Sequence, residues 1–182
     1  MPGLDWISAD AASAYPADLG VEKAVRHLLF LKPDVLIVLD DVKTSKIQNL
    51  ELRFHPEQPA TRLVGDIFVA RGAKTTLRVA PLTEDGVVAS YDETKAMDER
   101  QGTDGKLRTV HLSKVTSAWR NAVALSWGAS PATVNLLRIG DRWKFQAGDR
   151  IVEFNWSTSE ACTYQQGQQT SCGLLPTAPS LF

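Results

Sequence analysis

A strand-borne arginine, three histidines, two adjacent aspartates and two cysteines are the residues of this 182-residue chain whose types could do chemistry. His55 closes the run Leu-Glu-Leu-Arg-Phe-His and is followed by Pro56 and Glu57. An imidazole at a strand end can take a metal ion or a substrate, or it can hydrogen-bond locally or face solvent. Arg26 carries a planar guanidinium that matches a carboxylate with two donors, either on a bound acid or on an acidic side chain of the protein itself. Successive strand residues face opposite ways, so Arg26 and His27 diverge. By the same rule Asp40 and Asp41 cannot share a proton as a catalytic pair, and Asp40 should cap a turn or meet an arginine. His111 lies between Val110 and Leu112 and should face away from both. Tyr15 and Tyr91 are possible proton donors, but nothing around them assigns either as an acid. Cys162 and Cys172 close a small loop in an oxidising compartment, or are two unrelated thiols.

The elements that must position these groups read as β-structure. Apolar and polar residues alternate along most of the chain, and helical spacing is nearly absent. Strands are expected at residues 25–31, 35–42, 49–54, 60–63, 67–71, 75–81, 87–90, 107–114, 118–127, 133–139, 142–146 and 150–155. About twelve short strands with frequent Gly, Pro and Asp turns predict an all-β, antiparallel sandwich. Lys32-Pro33-Asp34 should end a strand, because proline lacks a ladder donor and aspartate can satisfy turn amides. Gly65-Asp66 and Gly140-Asp141 read as tight hairpin connections. Residues 92–106 read as a charged surface loop or short helical turn. Residues 1–156 are thus assigned to one sandwich domain and residues 157–182, rich in Gln, Ser and Thr, to a loosely held polar tail. Trp119, Trp127, Trp143 and Trp156 fall within strands, where core packing competes with stacking on a sugar ring.

Composition narrows the function classes. The chain is 43% hydrophobic and 23% charged with a net charge of −1, the balance of a folded domain with no global attraction for nucleic acid. No apolar stretch approaches the roughly 18 residues of a membrane-spanning helix. Gly-x-Gly-x-x-Gly, phosphate-loop, Gly-x-Ser-x-Gly and Cys-x-x-Cys patterns are all absent. The expectation is therefore no nucleic acid, no membrane and no nucleotide cofactor.

One stretch is more specific. Ala9-Asp10-Ala11-Ala12-Ser13-Ala14-Tyr15, then Arg26 at the start of a strand, the Lys32-Pro33-Asp34 turn, the apolar strand closing on Asp40-Asp41-Val42, and His55-Pro56-Glu57 together resemble the C-terminal β-sandwich of heparinase II/III-like polysaccharide lyases. The pattern extends over residues 10–156, with its specific part in residues 10–59. The resemblance implies a sandwich paired with an N-terminal α/α toroid, with an acidic, uronate-containing polysaccharide such as alginate or a heparan-type glycan lying between them. The family's reaction is β-elimination: the C5 proton is removed and the C4 leaving oxygen protonated, by groups in hydrogen-bond reach of the substrate. In the family those groups come from the toroid and from an early histidine strand, and the chain is expected to start after both.

The resemblance therefore implies one wall of a glycan cleft, not catalytic alone, whose partners are an acidic polysaccharide and a toroid domain or another chain supplying it. Arg26 and His55 are the candidate substrate-binding residues. His55 is also the candidate metal ligand, with no cofactor expected unless ligands from outside the chain complete a zinc site. Such a protein would be periplasmic or extracellular. The alternative is a carbohydrate-binding or structural module without enzymatic activity.

Overall fold

The computed structural model describes residues 3–83, 85–95, 104–165 and 168–174. Its elements are β1 (Leu4–Asp10), two short 3-10 turns (Ala12–Ala14 and Ala17–Leu19), β2 (Val21–Leu31), β3 (Val35–Phe54), β4 (Ala60–Arg62), β5 (Phe68–Arg71), β6 (Thr76–Pro81), β7 (Val88–Lys95), β8 (Lys106–Gly128), β9 (Val134–Ile139), β10 (Arg142–Ala147), β11 (Arg150–Asn155), β12 (Glu160–Gln165) and β13 (Gln168–Leu174). They form two antiparallel sheets. The larger has eight strands in the order β1-β2-β3-β8-β6-β5-β4, with β7 also on β8, and the smaller has five in the order β13-β12-β11-β10-β9. The expected all-β sandwich is the fold observed.

Its core follows from period-two alternation. Leu29, Leu31, Val35, Ile37 and Leu39 of the large sheet pack against Phe145, Val152, Phe154 and Trp156 of the small one. Burying such side chains removes apolar surface from water, the main favourable term in folding. Trp143 and Trp156 lie in this core, while Trp119 is buried in a second cluster, with Val38, Leu52, Phe68, Val110 and Val123 on the other face of the large sheet. Core packing thus accounts for three of the tryptophans. Trp127 is half-buried and stacks on Phe30 with ring centroids 5.7 Å apart.

Two pairs of expected strands are fused. Residues 35–42 and 49–54 belong to one strand, β3, and residues 107–114 and 118–127 to one strand, β8. The ladder between them slips at Lys43–Gln48, where a bulge interrupts alternation and so imitates a chain break. Hydroxyls serve the backbone groups freed there: Thr44 Oγ1 donates to the Lys46 carbonyl at 2.9 Å, and Thr116 Oγ1 donates to that of Ala118 at 2.9 Å. β1 was not anticipated from the sequence. It pairs with β2 along its length, with Ser8 opposite His27.

The segment expected to be a loose polar tail is corrected in part. Its residues 160–165 and 168–174 are β12 and β13 of the small sheet, joined by a Cys162–Cys172 disulfide. Among the β12 residues whose burial is described, Ala161 and Thr163 are the buried ones, so its sequence lacks the apolar signature of a strand although its backbone is fully laddered to β11. Thr163 and Thr170 add a hydroxyl contact of 2.9 Å across β12 and β13. Residues 92–95, expected in a loop, extend β7, and the rest of that loop up to residue 103 lies outside the described residues.

The predicted turns hold. Lys32-Pro33-Asp34 links β2 and β3 through a cis Lys32–Pro33 peptide. Arg150 ties this turn to the small sheet, donating to the Lys32 carbonyl at 2.7 Å and pairing with Asp34 at 2.7 Å. Gly140 takes a φ of +57° in the connection from β9 to β10, a region that glycine enters without steric cost.

Candidate functional site

The bend in β3 and β8 creates a concavity on the large sheet. A straight strand would hold Asp40 and Leu52 about 40 Å apart at ~3.3 Å per residue. Both nevertheless line one groove of about 510 Å³, together with Tyr15, Ala24, Arg26 and Trp119. The 3-10 turns between β1 and β2 close one end. Gly20 ends the second turn with a φ of +61°, which favours glycine, and a Cβ there would lie 3.2 Å from Ser45 Cβ, a tight approach of the two segments.

Arg26 and Asp40 sit directly opposite each other on β2 and β3. Arg26 Nε donates to Asp40 Oδ1 at 2.7 Å and Nη2 to Oδ2 at 3.4 Å. The partners differ in exposure: the Arg26 side chain is 48% exposed and that of Asp40 only 7%. Burial pushes the Asp40 carboxyl above the ordinary carboxylate range, and the Arg26 hydrogen bond and charge oppose that rise. Arg26 therefore neutralises a buried acid with one edge of its guanidinium and shows the other to the groove. Such an edge can receive an external carboxylate or sulfate oxygen through a charge-assisted hydrogen bond.

On the same face, the period of two carries the surface from Arg26 to Leu28 and Phe30. These line a shallow apolar hollow of about 460 Å³ with Ile7, Leu36 and Trp127. The charged groove and the apolar hollow are thus neighbours along β2.

His55 is placed elsewhere. It lies just past β3 and is exposed, and its Nδ1–H donates to the Arg108 carbonyl at 3.1 Å. It is not among the residues lining the groove, so the two candidate substrate-binding residues do not converge in one pocket. That hydrogen bond leaves Nε2 as the free nitrogen. Among the described residues, however, His55 belongs to no group of three or more His, Cys, Asp or Glu that could hold a metal ion. One imidazole does not meet the donor requirement of a structural zinc, usually four ligands.

The remaining titratable residues occupy structural positions. His111 faces away from its apolar neighbours as alternation requires, but it is held between Glu51 and Asp92, the latter 2.7 Å from Nε2. Asp40 and Asp41 point to opposite faces. Asp41 pairs with Lys23 at 2.6 Å and Arg120 at 3.2 Å at the mouth of the sandwich, where Arg120 also meets Asp141 at 2.9 Å and lies over Trp156.

His27 is the residue whose environment sequence reasoning left undescribed. It is 5% exposed, 2.9 Å from Ser8 Oγ through Nδ1, and its ring lies 4.9 Å from that of Phe154. Burial lowers its pKa from 6.5 to about 4, with Asp41 opposing the shift and Lys23 adding to it. Its two-residue spacing from Leu29 and Leu31 was the available signal for an inward-facing ring.

This arrangement is a two-sheet antiparallel β-sandwich. Among solved structures, the chain is similar to a mutant of the heparan sulfate lyase HepC from Pedobacter heparinus, with a TM-score of 0.66 and 12% identity over 95% of this chain. It is also similar to the unmutated HepC, with a TM-score of 0.61 and 12% identity over 97% of this chain, and to a heparinase III, the BT4657 gene product, with a TM-score of 0.64 and 11% identity over 95% of this chain. In each case it spans 26% of the longer chain. No protein-family model and no curated protein matches the sequence. At such identities the likeness is one of fold.

Proposed function

We propose that this chain is the β-sandwich part of a heparinase II/III-like polysaccharide lyase, forming one wall of a cleft for an acidic glycan and requiring a helical toroid for catalysis. The observation that carries this reading is Arg26, half-exposed in a groove on the face of the large sheet and already anchored by Asp40. The partial coverage of the similar lyases is what such a division of labour would give. The Cys162–Cys172 disulfide suits a periplasmic or extracellular location.

In the elimination reaction the substrate's uronate must be neutralised before the C5 proton can leave, and a positioned guanidinium is suited to that task or to holding a neighbouring acidic residue of the polymer. The base and acid are assigned to the toroid. His55 is offered as a contact at the outer end of the sheet, with Nε2 open to a glycan hydroxyl.

Two results follow. The chain alone should release no unsaturated uronate from alginate or heparan-type polymers, read by the ultraviolet absorbance of the product, and release that is abolished by His55→Ala would overturn the reading. Arg26→Ala should weaken binding of an acidic oligosaccharide at least about fivefold by calorimetry, the loss of one charge-assisted contact. Unchanged affinity would remove Arg26 from the site.

A second reading, a carbohydrate-binding module without chemistry, is favoured by the half-buried Phe30–Trp127 stack in the apolar hollow. In that case Trp127→Ala would weaken glycan binding more than Arg26→Ala, and the affinity would depend little on salt.

A further inference from the structure

We propose that the outer face of the small sheet holds a redox-gated site for a thiophilic divalent cation, Zn²⁺ in particular, built from Cys162, Cys172 and Glu160. Cys162 and Cys172 are directly opposed on β12 and β13 and joined as a disulfide. Glu160 lies two residues before Cys162 on the same strand, so alternation brings its carboxylate to the same face. Donor atoms of all three lie within 4.8 Å of one another. They line a polar pocket of about 200 Å³ that also receives Arg142, Glu153 and Tyr164.

Three features favour a cation over a merely structural crosslink. Glu160 is only half-exposed, yet its carboxylate has no hydrogen-bond or ion-pair partner among the described residues. Glu153, one strand away and opposite Cys162, lies 3.9 Å from Arg142, and no ion pair joins Arg142 to Glu160 among the described residues. Two sulfurs and one carboxylate also form a donor set suited to zinc, in which tetrahedral Zn–S bonds of about 2.3 Å would set the sulfurs about 3.8 Å apart. Opposed strand positions reach that separation by side-chain rotation, with both backbones kept in their ladder.

The gate is the disulfide. A dithiol reductant passes two electrons and two protons to the cystine, which becomes two thiols while the reductant closes to its own disulfide. Zn²⁺ then displaces both thiol protons to solvent and takes the Glu160 carboxylate as a third ligand, with water in the fourth position. Oxidation of the dithiol by a disulfide reverses the sequence and expels the ion. This site is independent of the groove around Arg26 and of the lyase reading.

The test is an anaerobic titration of the intact chain with Co²⁺, a spectroscopic substitute for Zn²⁺, before and after reduction by a phosphine that is then removed. The reduced chain should bind one equivalent with thiolate-to-cobalt charge-transfer bands that Zn²⁺ abolishes by competition, and the oxidised chain should show none. Cys172→Ser should lose the bands. Glu160→Gln should keep them but weaken Co²⁺ binding at least about tenfold, with an unchanged thermal transition in the oxidised form. The absence of thiolate bands in a reduced chain that still unfolds cooperatively would overturn the proposal. Loss of the cooperative transition on reduction would overturn it equally, as would undiminished affinity in Glu160→Gln.

Discussion

Phe154→Ala is expected to lower the unfolding free energy by about 4 kcal/mol, the upper range for truncating a fully buried aromatic ring. Phe154 is 0% exposed on β11 and touches both sheets' contributions to the core, with its ring 4.9 Å from His27 of β2 and 4.9 Å from Trp156. Its removal takes away transfer free energy and also leaves a cavity that two hydrogen-bonded sheets cannot collapse to fill. Denaturant unfolding followed by tryptophan fluorescence measures the change directly. Phe154→Leu should recover roughly half of the loss, because it refills most of the volume without the edge-to-face contact with Trp156. A cost below about 1 kcal/mol for Phe154→Ala would mean that the two sheets are not packed as described.

The second large effect is acid lability centred on His27. Its folded-state pKa of about 4 lies below the ordinary 6.5, so the folded protein prefers the neutral ring. Stability from this group is therefore fully present above pH 6.5 and is lost progressively as pH falls towards 4, where the ring becomes charged even in the folded state. The loss reaches about 3 kcal/mol by pH 4, at ~1.4 kcal/mol for each pH unit of difference. The groups facing the ring are Ser8, Phe154, Trp156 and, through their charges, Asp41 and Lys23. Carboxylates elsewhere also titrate in this window, so the informative quantity is the difference between the native chain and His27→Phe. The native chain should lose about 3 kcal/mol more than His27→Phe between pH 7 and pH 4. Equal losses would contradict the assignment.

Alternation in residues 25–31 and 35–42 identified the central strands and set Arg26 and His27 on opposite faces, because each side chain's burial there is decided by its own strand. Lys32-Pro33-Asp34 located the turn between them for a reason intrinsic to proline. The bulge at Lys43–Gln48 was illegible, since a slip in a continuous ladder and a chain break produce the same polar interruption. That bulge is what bends β3 and creates the groove, so the groove was illegible too. β12 and β13 escaped notice because their stability rests on ladder hydrogen bonds, a disulfide and two small buried side chains. The Arg26–Asp40 pair was foreseeable in kind, and its direct opposition across β2 and β3 needed the register. His55 was singled out by its strand-end position and by resemblance, yet its hydrogen bond to Arg108 depends on a strand more than fifty residues away in sequence.

The groove around Arg26 and the outer disulfide face present opposite charge to an acidic glycan. Arg26 offers a positive edge beside an apolar hollow, the pairing that a sugar acid presents in mirror image. The face around Glu160 and Glu153 offers carboxylates and repels such a ligand.

The most direct test of the central claim is amide shift mapping by ¹H–¹⁵N NMR during titration of this chain with a size-defined heparan- or alginate-derived oligosaccharide. Salt-sensitive shifts are expected to be confined to β2, β3 and the turns beside them, centred on Arg26, Asp40 and Tyr15, and abolished in Arg26→Ala. Shifts centred on β11 to β13, or a map unchanged by Arg26→Ala, would contradict the claim.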